Sequence, residues 1–183
     1  MKKFSVKDLA EIGVMAALVF VATWFLKIGP IPTPAGPTML KTGNALCLLG
    51  AMLFGRTKGA LAAGIGSMLY DLTDPAFTAS APFAFVFFFI MAFICGTVTG
   101  KTDGTNTKRN ILGAVLGAVS YIVLSIGKSF VVLLLGGSEA LPALTACLTK
   151  LITSGINGVF AVVVSVIFAP IFAKSLNKKY KAD

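Results

Sequence analysis

The sequence predicts an all-α, polytopic membrane protein: a bundle of six transmembrane helices forming one membrane domain over 1–183, with the second and third helices short. Three observations predict it. Apolar runs of roughly membrane-spanning length recur along the 183 residues, which are 56% hydrophobic. Only 13% of residues are charged, about half the share of a soluble domain, and mean hydropathy is +0.90. The basic residues collect in short segments between the runs. Despite a net charge of +9, that distribution is the mark of membrane topology and not of a nucleic-acid surface.

The first helix is expected over 8–27, after a basic start. Its run is longer than a signal-peptide core and has no small-x-small cleavage site at its end. Trp24 suits an interfacial aromatic belt. Gly13 and Ala17 stand four apart, with Ala10 nearby, so a neighbouring helix can approach closely there, within the bundle or on a partner. The stretch 28–37 (IGPIPTPAGP) holds four of the eight prolines. They are too closely spaced for a helix, and a stiff, lid-like outside loop is expected.

Helices two and three are expected over 39–55 and 58–72, joined by the basic turn Arg56-Thr57-Lys58. Each apolar arm has only about 15 residues, whereas a ~30 Å hydrocarbon layer needs roughly 20 at 1.5 Å per residue. Arms this short need neighbouring helices around them, or a wet cavity at their ends. The ends opposite the turn carry Lys41, Asn44, Tyr70 and Asp71, which form a polar rim. Helix four, 81–100, is rich in phenylalanine and reads as a lipid-facing wall. The polar turn 101–110 leads to helix five at 111–136. A loop containing Glu139 precedes helix six at 147–173, and a basic tail ends the chain.

Six spans return the chain to its starting side. All but four of the 16 basic residues (Lys27, Lys41, Lys128 and Lys150) then share the side of the termini, so the positive-inside rule puts both termini in the cytoplasm of a cell-membrane protein. Lys128 lies 17 residues beyond Ile111, roughly 25 Å across the layer. From the outer end of helix six, Lys150 is ~5 Å deep and Asn157 ~15 Å deep. Together with Lys41, Asn44 and Asp71 they converge on the outer third of the bundle. An ionised group there costs at least ~2.5 kcal/mol unless it meets a cavity or a partner. Snorkelling and pairing with Asp71 are the other fates open to Lys128. The candidate substrate-binding residues are thus Lys41, Asn44, Tyr70, Asp71, Lys128, Lys150 and Asn157.

The sequence also excludes chemistry. It has no His, hence no imidazole base and no His-based metal site. Cys47, Cys95 and Cys147 are isolated in apolar runs, so no metal or other cofactor is expected. Residues 50–57 (GAMLFGRT) approach the phosphate-loop spacing, but Arg56 replaces its lysine and no strand precedes it. An enzyme is therefore not expected.

The run PTPAGPTMLKTGNALCLLGAMLFGRTKGALAAGIGSMLYDL resembles the second and third helices of substrate-binding S components of energy-coupling factor (ECF) transporters. It is most similar to the branch of hydroxymethylpyrimidine, pyridoxine-type and riboflavin carriers. The segment Ser154-Gly155-Ile156-Asn157-Gly158 adds to the likeness. The resemblance implies a subunit that captures a small vitamin or vitamin precursor, a hydroxymethylpyrimidine or a B6 vitamer being favoured, beneath a lid formed by the first loop. It also implies partners: one T component, met by helix one at Gly13 and Ala17, and two ATPases. A stand-alone secondary transporter or channel for a small polar solute is the rival expectation.

Overall fold

The computed structural model describes residues 5–100 and 104–180, with side chains up to 176. The basic residues at 1–4, the start of the polar turn at 101–103 and the last residues, 181–183, lie outside the described residues. In order the elements are α1 (Val6–Phe25), β1 (Lys27–Ile31), β2 (Thr38–Lys41), α2 (Gly43–Thr73), a 3-10 turn (Thr78–Ser80), α3 (Ala81–Thr99), α4 (Thr107–Leu135) and α5 (Ala140–Tyr180). Among the described residues, five helical segments are long and apolar enough to cross a membrane.

One of the five is two helices. Inside α2, Gly55 has φ 80° and ψ 177°, a conformation open essentially to glycine alone. The chain reverses there into an arm at 43–54 (α2a) and an arm at 56–73 (α2b). Cys47 Sγ reaches Ser67 Oγ at 3.7 Å, although 20 residues of straight helix would part them by ~30 Å. A Cβ on Gly59 would lie 2.4 Å from Ala51 Cα, so the arms touch backbone to backbone. The bundle is thus six helical rods, two of them short.

Small residues set the remaining contacts. A Cβ on Gly66 would lie 2.5 Å from the Ala16 carbonyl of α1. One on Gly96 would lie 2.5 Å from Arg56 Cα, and those on Gly113 and Gly117 would lie 2.9 and 2.8 Å from carbonyls of Cys95 and Met91. The hairpin therefore sits centrally, against α1, α3 and α5, while α4 packs on α3 and α5. Leu48, Ala51, Met52, Ala60, Phe88, Met91, Ala92, Cys95 and Ala114 fill the core. Outward-facing Val14, Leu18, Val123, Val131, Ile152 and Val159 are exposed, an apolar girdle suited to lipid and foreign to water.

The boundaries depart from those expected at several places, and α4 already starts at Thr107. Helix α1 ends at Phe25, and 38–41 is strand, because 27–31 and 38–41 pair as an antiparallel hairpin with Lys27 opposite Lys41. The register slips between Ile28 and Ile31, where Pro30 has no N–H to give the ladder. The expected first loop is thus a built β-hairpin. Helix α5 starts at Ala140, and not at 147, since Pro142 sits in a first turn that needs no N–H from it. It also continues past Ala173, through Lys, Ser and Leu that hold helix well outside lipid. At the termini end, Ser5 and Asp8 form a capping box on α1, and Lys58 bonds Asp8 and Glu11, fastening the start of α2b to α1.

Replacing Gly66 by Val forces a side chain into the Ala16 backbone and is expected to cost about 1–3 kcal/mol. Gly127 has nothing within 4 Å of its Cβ position, so Gly127→Ala should be neutral or stabilising by about 0.5–1 kcal/mol. Thermal unfolding of the two variants in one detergent checks the contrast.

Candidate functional site

A cavity of about 80 Å³ lies at the end of the bundle remote from the termini. Five of the seven candidate residues line it: Lys41, Asp71, Lys128, Lys150 and Asn157. Strand β2 roofs it with Thr38 and Met39, and α2b brings Asp71. The segment from Phe77 into α3 contributes Phe77, Ser80, Phe83, Phe87 and Phe88, and α4 and α5 close the far wall. The volume suffices for several waters, or for one substituted ring.

The lysines meet no carboxylate in this wall. Lys128 Nζ donates to Ser80 Oγ at 2.6 Å and lies 4.7 Å from the Phe83 ring centre. Lys150 Nζ donates to Ser129 Oγ at 2.7 Å. Lys41 Nζ sits over Phe88 at 4.6 Å and over Tyr70 at 5.9 Å, a cation on aromatic faces. Asp71 is buried, and its Oδ1 has no hydrogen-bond partner. Three ammonium groups and one carboxylate thus face the void.

Asn157 plays a different part from the one its position suggests. Its Oδ1 accepts from the Lys41 backbone N–H at 3.0 Å, and its Nδ2 donates to the Met39 carbonyl at 2.7 Å. The amide stands in for a neighbouring strand along the free edge of β2, so the roof is held to α5. Its ligand-facing capacity is reduced to one N–H and one lone pair on Oδ1.

Two candidates stand outside the cavity wall. Tyr70 is fully buried below the β-hairpin. Its hydroxyl accepts from Lys27 Nζ and donates to Asp74 Oδ2 at 2.8 Å. Lys27 also bonds Asp74 directly at 2.9 Å, tying the root of β1 to the end of α2b. Hydrogen bonding to Tyr70, and then to Asp74, holds the Lys27 ammonium above the usual lysine range despite burial. Burial pushes the Asp74 carboxyl up, but the bonds from Lys27, Tyr70 and the Ala76 N–H outweigh it and hold the carboxyl below its usual range. Asn44 is 3% exposed at the start of α2a, with Oδ1 unpartnered.

The sequence points mainly to lipid for the aromatic face of α3, with ring stacking on a ligand as its lesser reading, and leaves two polar faces unread. Phe83, Ala84, Phe87 and Phe88 share one face of α3 at helical spacing; the expected lipid wall is in part a cavity wall. Tyr121, Ser125 and Lys128 repeat at i, i+4, i+7 on α4, and Lys150, Ser154 and Asn157 do the same on α5. Those matched spacings were the signal that could have found Tyr121, Ser125 and Ser154. Gly13 and Ala17 lie on the exposed face of α1, opposite Ile12, Met15, Ala16 and Val19, which pack inward; no atom lies within 4 Å of a Cβ on Gly13.

A membrane-embedded helical bundle with a pocket at one end, walled by aromatic rings and unmatched charges, is a binding protein for a small polar molecule. The chain belongs to the family described as the ECF-type riboflavin transporter S component, which it matches over residues 3–177. It is accordingly a multi-pass membrane protein and the substrate-binding subunit of an ECF transporter, a binding component and not an enzyme. Such S components work with a T component and ATPases. No curated protein matches the chain significantly.

Asp74 tests the tie beneath the roof. Its depressed value means that it stabilises the fold in full above the ordinary carboxylate range and loses that contribution as pH falls through the lower folded value. Asp74→Asn should cost about 1.5–3 kcal/mol near pH 7, the worth of hydrogen bonds to a charged group. In melts run from pH 7 to pH 3 in detergent, the gap between wild type and variant should narrow as acid is added.

Proposed function

We propose that this S component captures a small vitamin or vitamin precursor at the outer face of the cell membrane, a hydroxymethylpyrimidine or a B6 vitamer being favoured. The observation that carries the reading is the cavity, where Lys41, Lys128, Lys150 and Asp71 stand among aromatic rings. Lysines there can meet a carboxylate, phosphate or ring oxygen, and Asp71 can accept from an amine or hydroxyl. The family description names riboflavin, a fused three-ring compound with a long side chain. A void of about 80 Å³ favours a single ring.

The sidedness follows from charge. Lys7, Arg56, Lys58, Lys108, Arg109 and Lys174 lie toward the termini end, which supports cytoplasmic termini and an external cavity. The exposed Gly13 and Ala17 on α1 support docking of the T component there, with two ATPases supplying the energy for release inward.

Calorimetry of the purified chain against a panel of water-soluble vitamins and precursors should show tight binding of a single-ring member. Silence across the whole panel would overturn the proposal. Uptake into liposomes by this chain alone, with no ATPase, would favour the partner-independent carrier. For the interface, Gly13→Leu with Ala17→Leu should leave ligand affinity unchanged and abolish uptake by the reconstituted transporter; unchanged uptake would remove the interface from α1.

A further inference from the structure

The cavity wall contains an acceptor that nothing in the protein uses. Asp71 is 5% exposed and lines the void, and its Oδ1 finds no hydrogen-bond donor. It makes no ion pair among the described residues; the cations whose charge reaches it are Lys41 and Lys128. A buried oxygen left in this condition is costly. Where it faces a pocket, a donor on the occupant relieves the cost.

Two lysines of the same wall have the opposite need. Lys128 and Lys150 feel each other's charge, and each uses one N–H on a serine hydroxyl. An ammonium has three N–H groups, so each keeps two for an occupant. The same wall carries the rings of Phe77, Phe87, Phe88 and Tyr121, flat apolar surfaces that suit a ring. The volume, about 80 Å³, suits one ring.

We infer that the cavity selects a single heteroaromatic ring bearing an N–H donor, on a ring nitrogen or an amino group, toward Asp71 and an acidic oxygen toward Lys128 and Lys150. The inference rests on the vitamin-binding reading and sharpens it. A 3-hydroxypyridine of the B6 kind carries both groups. An aminopyrimidine carries the donor but no acidic oxygen, and so leaves the lysine end unbalanced.

The test uses the purified full-length chain, wild type, Asp71→Asn and Lys128→Met, titrated calorimetrically with pyridoxine, its ring-oxygen methyl ether and hydroxymethylpyrimidine. Each protein is also melted without ligand. Pyridoxine should bind the wild type roughly tenfold or more tighter than its methyl ether, and Asp71→Asn should lose about as much. The same variant, empty, should melt at the wild-type temperature or higher, because an unpaired buried carboxylate is gone; a residue needed only for folding would do the reverse. Lys128→Met should weaken pyridoxine and spare the methyl ether. Equal binding of ether and parent, unchanged affinity in Asp71→Asn, or a loss of affinity that merely tracks a lower melting temperature overturns the inference. If a different vitamin of the panel binds and Asp71→Asn leaves it unaffected, the inference fails and the vitamin-binding reading stands. If the entire panel is silent, both fall.

Discussion

The architecture depends on the reversal at Gly55. With φ at 80°, one residue without a Cβ turns a helix back on itself at the termini end of the bundle, with no intervening loop. Because Gly59 and Ala51 are small, the returning arm lies against the outgoing one at backbone contact. That closeness fixes the register of the arms. It returns Asp71 to the level where α2a starts, so that a carboxylate from the end of α2b and Lys41 from the preceding strand face one void. A larger residue at either contact would slide the arms and part those charges.

A β-hairpin at this position raises a second difficulty, because two short strands leave free edges and β2 is mostly buried. Buried peptide groups must find partners. Along β2 the partner is a side chain: Asn157 supplies one acceptor and one donor, spaced as a strand would space them. An amide offers both on one planar group. At the root of the hairpin, Lys27, Tyr70 and Asp74 close a triangle of hydrogen bonds and an ion pair. The roof of the cavity is therefore held at two places by polar contacts, which exchange partners more readily than packed apolar surfaces do.

Much of this was legible in the sequence, and the rest was hidden for physical reasons. Apolar length and the placement of basic residues gave the helical bundle, its short central pair and its polar rim, since these follow from hydrocarbon thickness and from charge. Rise per residue brought Lys128, Lys150 and Asn157 toward the outer end of the bundle, because helices measure depth regularly. Rotation was harder. Tyr70 and Asp71 are adjacent, yet the 100° between consecutive helical residues sends one beneath the hairpin and the other into the void. The strand pairing of 27–31 with 38–41 was masked by Pro30, Pro32 and Pro37, which read as loop. The function of Asn157 was invisible because its partners are backbone atoms of residues more than a hundred positions away. Gly13 and Ala17 offered a small-residue face whose direction spacing alone left open; its exposure on α1 belongs to packing.

The electrostatics of the cavity bring these strands together. Three ammonium groups facing one carboxylate leave the wall with excess positive charge in a region of low dielectric, where unbalanced charge is expensive. The protein softens that cost with hydroxyls at Ser80 and Ser129 and with ring faces at Phe83 and Phe88. All of these are neutral, so none competes for a lysine as a carboxylate would. Asp71 has no such softening at Oδ1. A fold optimised only for stability would have paired Asp71 with Lys128, both of which line one void within reach of each other's field. Holding them apart keeps the empty state less stable than it could be, and an occupant that satisfies both ends recovers that difference as affinity.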